Sequence, residues 1–256
     1  MTEESPAVWM ESTYENVFVR CPYCEGTSIY NRVSDLHSPE AISNATVTCE
    51  RCGESFTIIG DSVNEAYEML LFDVYDLLRQ KRYMSAVSNI SQAYEVFFAL
   101  FLRAHFAYRP FVRDITQGMP ALNNVHELLF EKTRERSFRP MRAIFLHRVV
   151  EDVPANLSIS VEILGNLADL IAEPKASITT RHPDPVVRSL LGRIKSVRVN
   201  ELRNMSVHHR AYRPRRDEAE AALEEAREIL FPLGRLLDLR NDLNWYMEKY
   251  RERGER

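Results

Sequence analysis

Two groups of residues in this 256-residue chain have the types and spacing to do chemistry. The first is the late run Glu201-Leu-Arg-Asn-Met-Ser-Val-His-His-Arg210, which sets Arg203, Asn204 and His208 within one to two helical turns. A guanidinium is always charged, and an imidazole titrates near neutral pH. Metal-free cleavage of a phosphodiester needs both: one group to hold the phosphate and one to move a proton. The second group is Cys21-Pro-Tyr-Cys24 with Cys49-Glu-Arg-Cys52. Two such turns can offer four thiolates in a tetrahedron, the geometry that Zn²⁺ takes in structural sites.

All four cysteines of the chain belong to these pairs, which favours a reducing cytosol and a bound metal over a disulfide framework. The expected centre is a closed, structural zinc site on Cys21, Cys24, Cys49 and Cys52, and an Fe–S cluster would use the same ligand count. His37, between the pairs, reads as a loop residue.

From Arg203 to Arg216 the chain holds five Arg and no Asp or Glu, a local charge of +5 against a total of -4. With Tyr212 available for base stacking, this stripe suits the backbone of single-stranded RNA. The expected RNA-binding set is His209, Arg210, Tyr212, Arg213, Arg215 and Arg216. The same run also fits a solvated basic helix end facing its own dipole. Asn204 and His208 are four apart and share a helical face, whereas Arg203 and His208 are five apart and do not. Those two line one pocket only if the helix ends or bends near Val207, or if two copies meet. Glu95, inside the apolar stretch Ala93 to Leu102, needs a partner if buried. Arg203 is the expected one; another Arg, or access to solvent, would also serve.

The elements that position these groups follow from periodicity. Residues 14–59 read as short β-branched and aromatic strands flanking the CxxC turns, a ribbon too small to fold without its metal. Ser62-Val-Asn-Glu65 is a capping-box pattern opening an amphipathic helix, which closes with the basic turn Arg79–Arg82. From Met84 to Phe106 a second helix is apolar nearly all round and should be central, broken at Arg109-Pro110. Helices follow over 122–135, 141–150 and 157–171, then a Pro- and Thr-rich loop. Asp184-Pro185 is a helix start. Val186, Leu190, Leu191, Ile194, Val197, Leu202 and Met205 mark one face running into the Arg/His segment. Pro214 separates it from a last helix over 219–239, which Pro232 and Gly234 should bend, and the tail 246–256 should fray. The expected division is a ribbon over 1–60 and an all-α domain over 61–256.

At 45% hydrophobic and 27% charged, the chain can bury a sizeable core. Its acidic, polar start reads as no secretory signal, and its most apolar run is too short to cross a bilayer, so a cytoplasmic location with no membrane is expected. Gly is scarce, and no P-loop, GxGxxG or HExxH pattern occurs, which argues against a Gly-rich phosphate cradle.

The Arg-x4-His signature Arg203-Asn-Met-Ser-Val-His208, the long helix from Tyr83 before it and the Ala/Glu/Leu-rich helix Asp217–Leu230 after it resemble the HEPN superfamily over roughly 62–245. The middle, 110–183, departs from a minimal domain of that family. The resemblance implies a mainly α fold, a HEPN-like helical bundle that dimerises, with a small N-terminal β zinc ribbon as accessory. It implies a metal-independent endoribonuclease, of the kind found among toxins and anti-phage defence effectors, with an antitoxin or defence protein as partner. In that reading Arg203 holds the phosphate, His208 moves the proton with His209 as competitor, and Asn204 positions one or the other. The alternative is a non-catalytic adaptor that binds nucleic acid or protein. A DNA-binding regulator is a third reading, but one small ribbon offers no evident recognition helix.

Overall fold

The computed structural model describes residues 16–31, 35–36, 45–58, 65–167, 180–208 and 212–252. The chain divides into two compact units between Asn64 and Glu65. The first holds two antiparallel hairpins, β1 (Asn16–Arg20) with β2 (Thr27–Asn31) and β3 (Ala45–Thr48) with β4 (Ser55–Ile58). Val17 lies opposite Tyr30, and Val47 opposite Phe56. Tyr30, Val47, Phe56 and Ile58 close around the buried Cys21 and Cys49 as a small core, and the Tyr30 hydroxyl donates to the Thr48 carbonyl at 2.9 Å. This core is a handful of side chains, so the two hairpins need the cysteine centre as well.

The second unit is helical. Its elements are α1 (Ala66–Arg79), α2 (Tyr83–Arg103), a π turn (Ala104–Tyr108), α3 (Arg109–Arg113), α4 (Gly118–Thr133) and α5 (Phe138–Arg148). They continue with α6 (Leu157–Gly165), α7 (Pro185–Ser196), α8 (Val199–His208), α9 (Arg216–Leu236) and α10 (Leu243–Glu252). Helix α2 is apolar on most sides and is covered accordingly, by α1, α4, α5, α8 and α9. Its Phe98 ring stacks on Phe145 of α5 at 4.9 Å, Phe101 meets the same ring edge-on at 5.0 Å, and Tyr94 meets Phe138 at 5.7 Å. Each such ring contributes about 1.5–3 kcal/mol when fully buried, so these rings hold α5 firmly on α2.

Several boundaries differ from the periodicity reading. Helix α1 starts at Ala66, so Glu65 is its N-cap rather than the reaching residue of a box begun at Ser62, which lies outside the described residues. The Glu68 carboxylate accepts the Glu65 N–H at 3.1 Å instead. The helical path does not break at Pro110. A wide π turn precedes it, and Pro110 sits in the first turn of α3, where its missing N–H costs little. The helix from Leu157 stops at Gly165, and the loop expected after it lies mostly outside the described residues. Asp184 caps α7 as its sequence suggests, accepting from the Val186 and Val187 N–H groups at 2.7 and 3.2 Å. The apolar face does not continue as one helix into the Arg/His run. Val197 is extended (ψ 131), and this break lets both Val197 and Val199 bury; Val187 rather than Val186 faces the core.

The C-terminal segment is helical through Glu252, where fraying was expected. Tyr246 of α10 is buried, its hydroxyl donating to the Asp238 carbonyl at 3.0 Å and accepting the Arg240 N–H at 3.1 Å. Glu65 reaches the same turn, accepting the Asn241 N–H at 3.1 Å. Helix α9 runs through Pro232 and ends at Leu236. Gly234 is needed for close approach: a Cβ there would stand 2.5 Å from the Tyr67 hydroxyl of α1, while everything else stays at 3.5 Å or beyond. Gly234→Ala should therefore cost about 1–3 kcal/mol by overpacking. In a Tyr67→Phe background, which removes the obstructing atom, most of that loss should vanish. Chemical denaturation of the four proteins of this cycle measures both terms.

Candidate functional site

The cysteine centre is built from two turns of the same backbone design. In the first, the Cys21 N–H donates to the Gly26 carbonyl at 2.9 Å and the Glu25 N–H donates back to the Cys21 carbonyl at 3.0 Å. In the second, the Cys49 N–H donates to Glu54 and the Gly53 N–H to Cys49, both at 2.9 Å. The fourth residue after the leading cysteine is left-handed in both, Glu25 at φ 57 and Gly53 at φ 76. Only the second turn uses the residue that adopts this conformation without strain. At Gly26 a Cβ would come within 2.9 Å of the Arg51 Cδ and 3.3 Å of the Cys24 Sγ, so that glycine leaves room for the second turn's side chain and for a ligand sulfur.

These turns bring all four Sγ atoms within 4.8 Å of one another, with Cys21–Cys52 and Cys24–Cys49 both at 3.7 Å. A disulfide would require about 2.05 Å. A metal–sulfur bond of about 2.3 Å in a tetrahedron gives an edge of about 3.8 Å. The spacing thus fits a four-thiolate metal site. The Cys49 thiol is lowered to about 6, first by the Cys52 backbone N–H. The Glu54 N–H acts to lower Cys52, but burial and hydrogen bonds from the other three thiols outweigh it and push that thiol up to about 12. One thiolate therefore forms readily beside a thiol held protonated, and a bound cation favours the thiolate form of its ligands. Four ligands of this kind leave no open position for catalysis. The purified chain should carry one Zn²⁺, measured by elemental analysis. Cys24→Ser, or a strong chelator, should expose residues 16–58 to proteolysis while the far-UV signal of the helical unit persists.

The Arg/His segment is carried by α8, a regular helix through His208. At 3.6 residues per turn, positions 203 and 208 stand about 140° apart around its axis, and the helix is unbroken between them. The His208 side chain lies outside the described residues, as do His209 and Arg210 altogether. Arg203 and Asn204 are half-buried. Arg203 makes no hydrogen bond and no ion pair among the described residues, although a guanidinium carries five donors. Its charge reaches Glu95 on α2. Burial raises the Glu95 carboxyl above its usual range, and Arg203, with the Phe138 N–H at the start of α5, pulls it part of the way back. The two side chains do not close to ion-pair distance.

The basic stripe is largely occupied by its own neighbours. The Tyr212 hydroxyl donates to the Glu218 carboxylate at 2.7 Å, and the Arg215 N–H donates to the same group at 2.8 Å. The Arg215 side chain pairs with Asp217 at 3.0 Å and Glu218 at 3.8 Å, and Arg216 pairs with Glu220 at 2.7 Å. Arg213 is exposed and has no ion pair among the described residues. The acids that balance this stripe begin at Asp217, one position beyond the window over which the +5 accumulates. That adjacency was the available signal for Glu218 and Glu220.

No family model matches the chain, and neither the curated proteins nor the solved structures contain a match. No described helix is long and apolar enough to cross a membrane.

Glu95 gives a further test. A carboxyl whose folded value is raised costs folding free energy where it is charged, above that raised value, and costs nothing below about 4.3, where both states are protonated. Glu95→Gln should therefore raise Tm at pH 7 and leave it unchanged near pH 4. Thermal melts at the two pH values check the sign.

Proposed function

We propose that the helical unit is a metal-independent endoribonuclease of HEPN type, with Arg203, Asn204 and His208 as its site. The observation that carries this reading is Arg203: a half-buried guanidinium, on one short helix with Asn204 and His208, that engages no protein acceptor among the described residues. Its donors are open to solvent rather than spent on the protein, so they are available to a phosphate from outside. The neighbouring Glu95, raised by burial and acting on Arg203 only at a distance, orients the guanidinium without consuming its donors.

In this reading the ribose 2′-hydroxyl attacks the adjacent phosphorus. His208 takes the hydroxyl proton as the new P–O bond forms, the bond to the 5′-oxygen breaks, and the His208 imidazolium returns that proton to the departing oxygen. The products are a 2′,3′-cyclic phosphate and a 5′-hydroxyl. Arg203 neutralises the charge that grows on the phosphoryl oxygens. Positions 203 and 208 do not share a face of α8, so the reading requires a homodimer in which two copies of this helix meet across one groove. The zinc centre serves as an accessory module, and a toxin or anti-phage role with a cognate inhibitor is the setting that the HEPN resemblance suggests.

One observation favours the runner-up, a non-catalytic adaptor. Tyr212, Arg215 and Arg216 are engaged by Glu218, Asp217 and Glu220, which lowers the attraction of this stripe for a polyanion. The two readings separate cleanly. RNA incubated with the full chain and no added Mg²⁺ should yield fragments ending in 2′,3′-cyclic phosphate. His208→Ala and Arg203→Ala should each reduce the rate by about 10²-fold or more. Cleavage indifferent to both substitutions, or strictly dependent on Mg²⁺, defeats the nuclease; binding without cleavage leaves the adaptor.

A further inference from the structure

The four sulfurs of the cysteine centre are not equally accessible. Cys21 and Cys49, the leading cysteines of the two turns, are sealed in the small core at 0% and 1% exposure. Cys24 is half-buried, and Cys52 is exposed. Arg51 adds to this asymmetry. Its side chain lies across Gly26 of the first turn, where a Cβ would meet the Arg51 Cδ at 2.9 Å and the Cys24 Sγ at 3.3 Å, so it stands beside Cys24 and helps to shield it.

Across the turns the sulfurs face one another in two pairs, Cys52 with Cys21 and Cys24 with Cys49, each at 3.7 Å. The open thiol therefore has a buried one directly behind it. Closing that pair to the disulfide length of about 2.05 Å takes a shift of about 1.7 Å. Oxidation of a cysteine follows thiolate character and exposure, and redox-sensing cysteines stand beside a second thiol that resolves the first oxidation. A bound metal favours the thiolate at all four positions, so exposure decides which sulfur an oxidant meets.

The connectivity gives this pairing a further consequence. Cys21 follows β1 and Cys52 precedes β4, so a bond between them ties one hairpin to the other. A bond within either CxxC turn would leave the hairpins joined only by the chain between them once the metal is gone. With so small a core, the cross-turn bond is what keeps the four sulfurs near one another. Reduction then returns four thiols in place to take up a metal again.

We propose that the cysteine centre is a peroxide-responsive switch, entered at Cys52 and closed by Cys21. The inference rests on the four-thiolate metal site and is independent of the nuclease reading. The Cys52 thiolate attacks one oxygen of hydrogen peroxide: an S–O bond forms, the O–O bond breaks, and hydroxide leaves. The Cys21 thiolate then attacks the Cys52 sulfur: the S–S bond forms, the S–O bond breaks, and a second hydroxide leaves. Both hydroxides take a proton from solvent to give water. Two thiolates have lost one electron each, and the peroxide has gained two. Cys24 and Cys49 alone do not complete a structural zinc site, so the metal is released.

The full chain, loaded with Zn²⁺ and freed of excess, is treated with one equivalent of hydrogen peroxide. Metal content before treatment reports on the centre, and everything after it on the switch. Zinc release is followed with a chromogenic chelator, and dimedone traps sulfenic acid. Trypsin places Cys21 and Cys24 in 21–32, Cys49 in 33–51 and Cys52 in 52–79, so unreduced digests read each pairing by mass, and fragmentation separates Cys21 from Cys24. The expected result is release of most of the Zn²⁺, a bridge from Cys21 to Cys52, and dimedone on Cys52 at least about tenfold above any other cysteine. A thiol reductant with Zn²⁺ should restore the loaded protein. Retention of Zn²⁺ under about tenfold excess of peroxide would overturn the inference. So would a dominant bridge within 21–32 or between 33–51 and 52–79, or dimedone first on Cys24.

Discussion

A 21-residue helix that is apolar on nearly every side cannot rest on a surface; it has to be wrapped. That requirement organises the helical unit. Helices α1, α4, α5, α8 and α9 lie where they do because each covers part of α2, and the stacked rings of Phe98 and Phe145 fix the tightest contact. The same constraint places chemistry. Glu95 is the carboxylate on this buried rod, and covering it brings α8 and its Arg203 within electrostatic reach. A half-buried carboxylate on this rod thus has a guanidinium of α8 to answer it.

The cysteine unit solves the opposite problem, with too little apolar surface to hold two hairpins. Its solution is a repeated turn in which backbone N–H groups and a left-handed fourth residue aim two sulfurs at one point. Repetition of the turn, more than the hairpins around it, makes the four sulfurs converge. The strain accepted at Glu25 shows how firmly that geometry is required, since a side chain there gains nothing from φ 57 itself.

What was legible in the sequence was whatever a local rule controls. CxxC spacing located the thiols, uniform apolarity marked α2 as central, and Asp184-Pro185 opened a helix at its place. What was not legible depends on how nearby turns close on one another, or on partners distant in the chain. Pro110 reads as a break, yet a π turn ahead of it absorbs the missing N–H. The tail reads as polar and loose, yet Tyr246 finds the carbonyl of Asp238 and docks. Arg215 and Arg216 read as a free basic patch, yet acids from the next helical turns meet them. A cleft lined by Arg109, Arg113 and Lys249 has no motif at all, because the arginines of α3 and the lysine of α10 lie more than a hundred residues apart and meet only in the fold.

The break at Val197 bears on the Arg203 helix in another way. A ten-residue helix, severed from α7 by an extended residue, is shorter than the length at which helices persist alone in water. Its order is borrowed from α2. Whatever lifts α8 off its support therefore dissolves the arrangement of Arg203 and Asn204 in the same motion. In the proposed nuclease, assembly and competence at that helix would be one equilibrium, and a molecule that peels it away would silence it without ever touching the guanidinium.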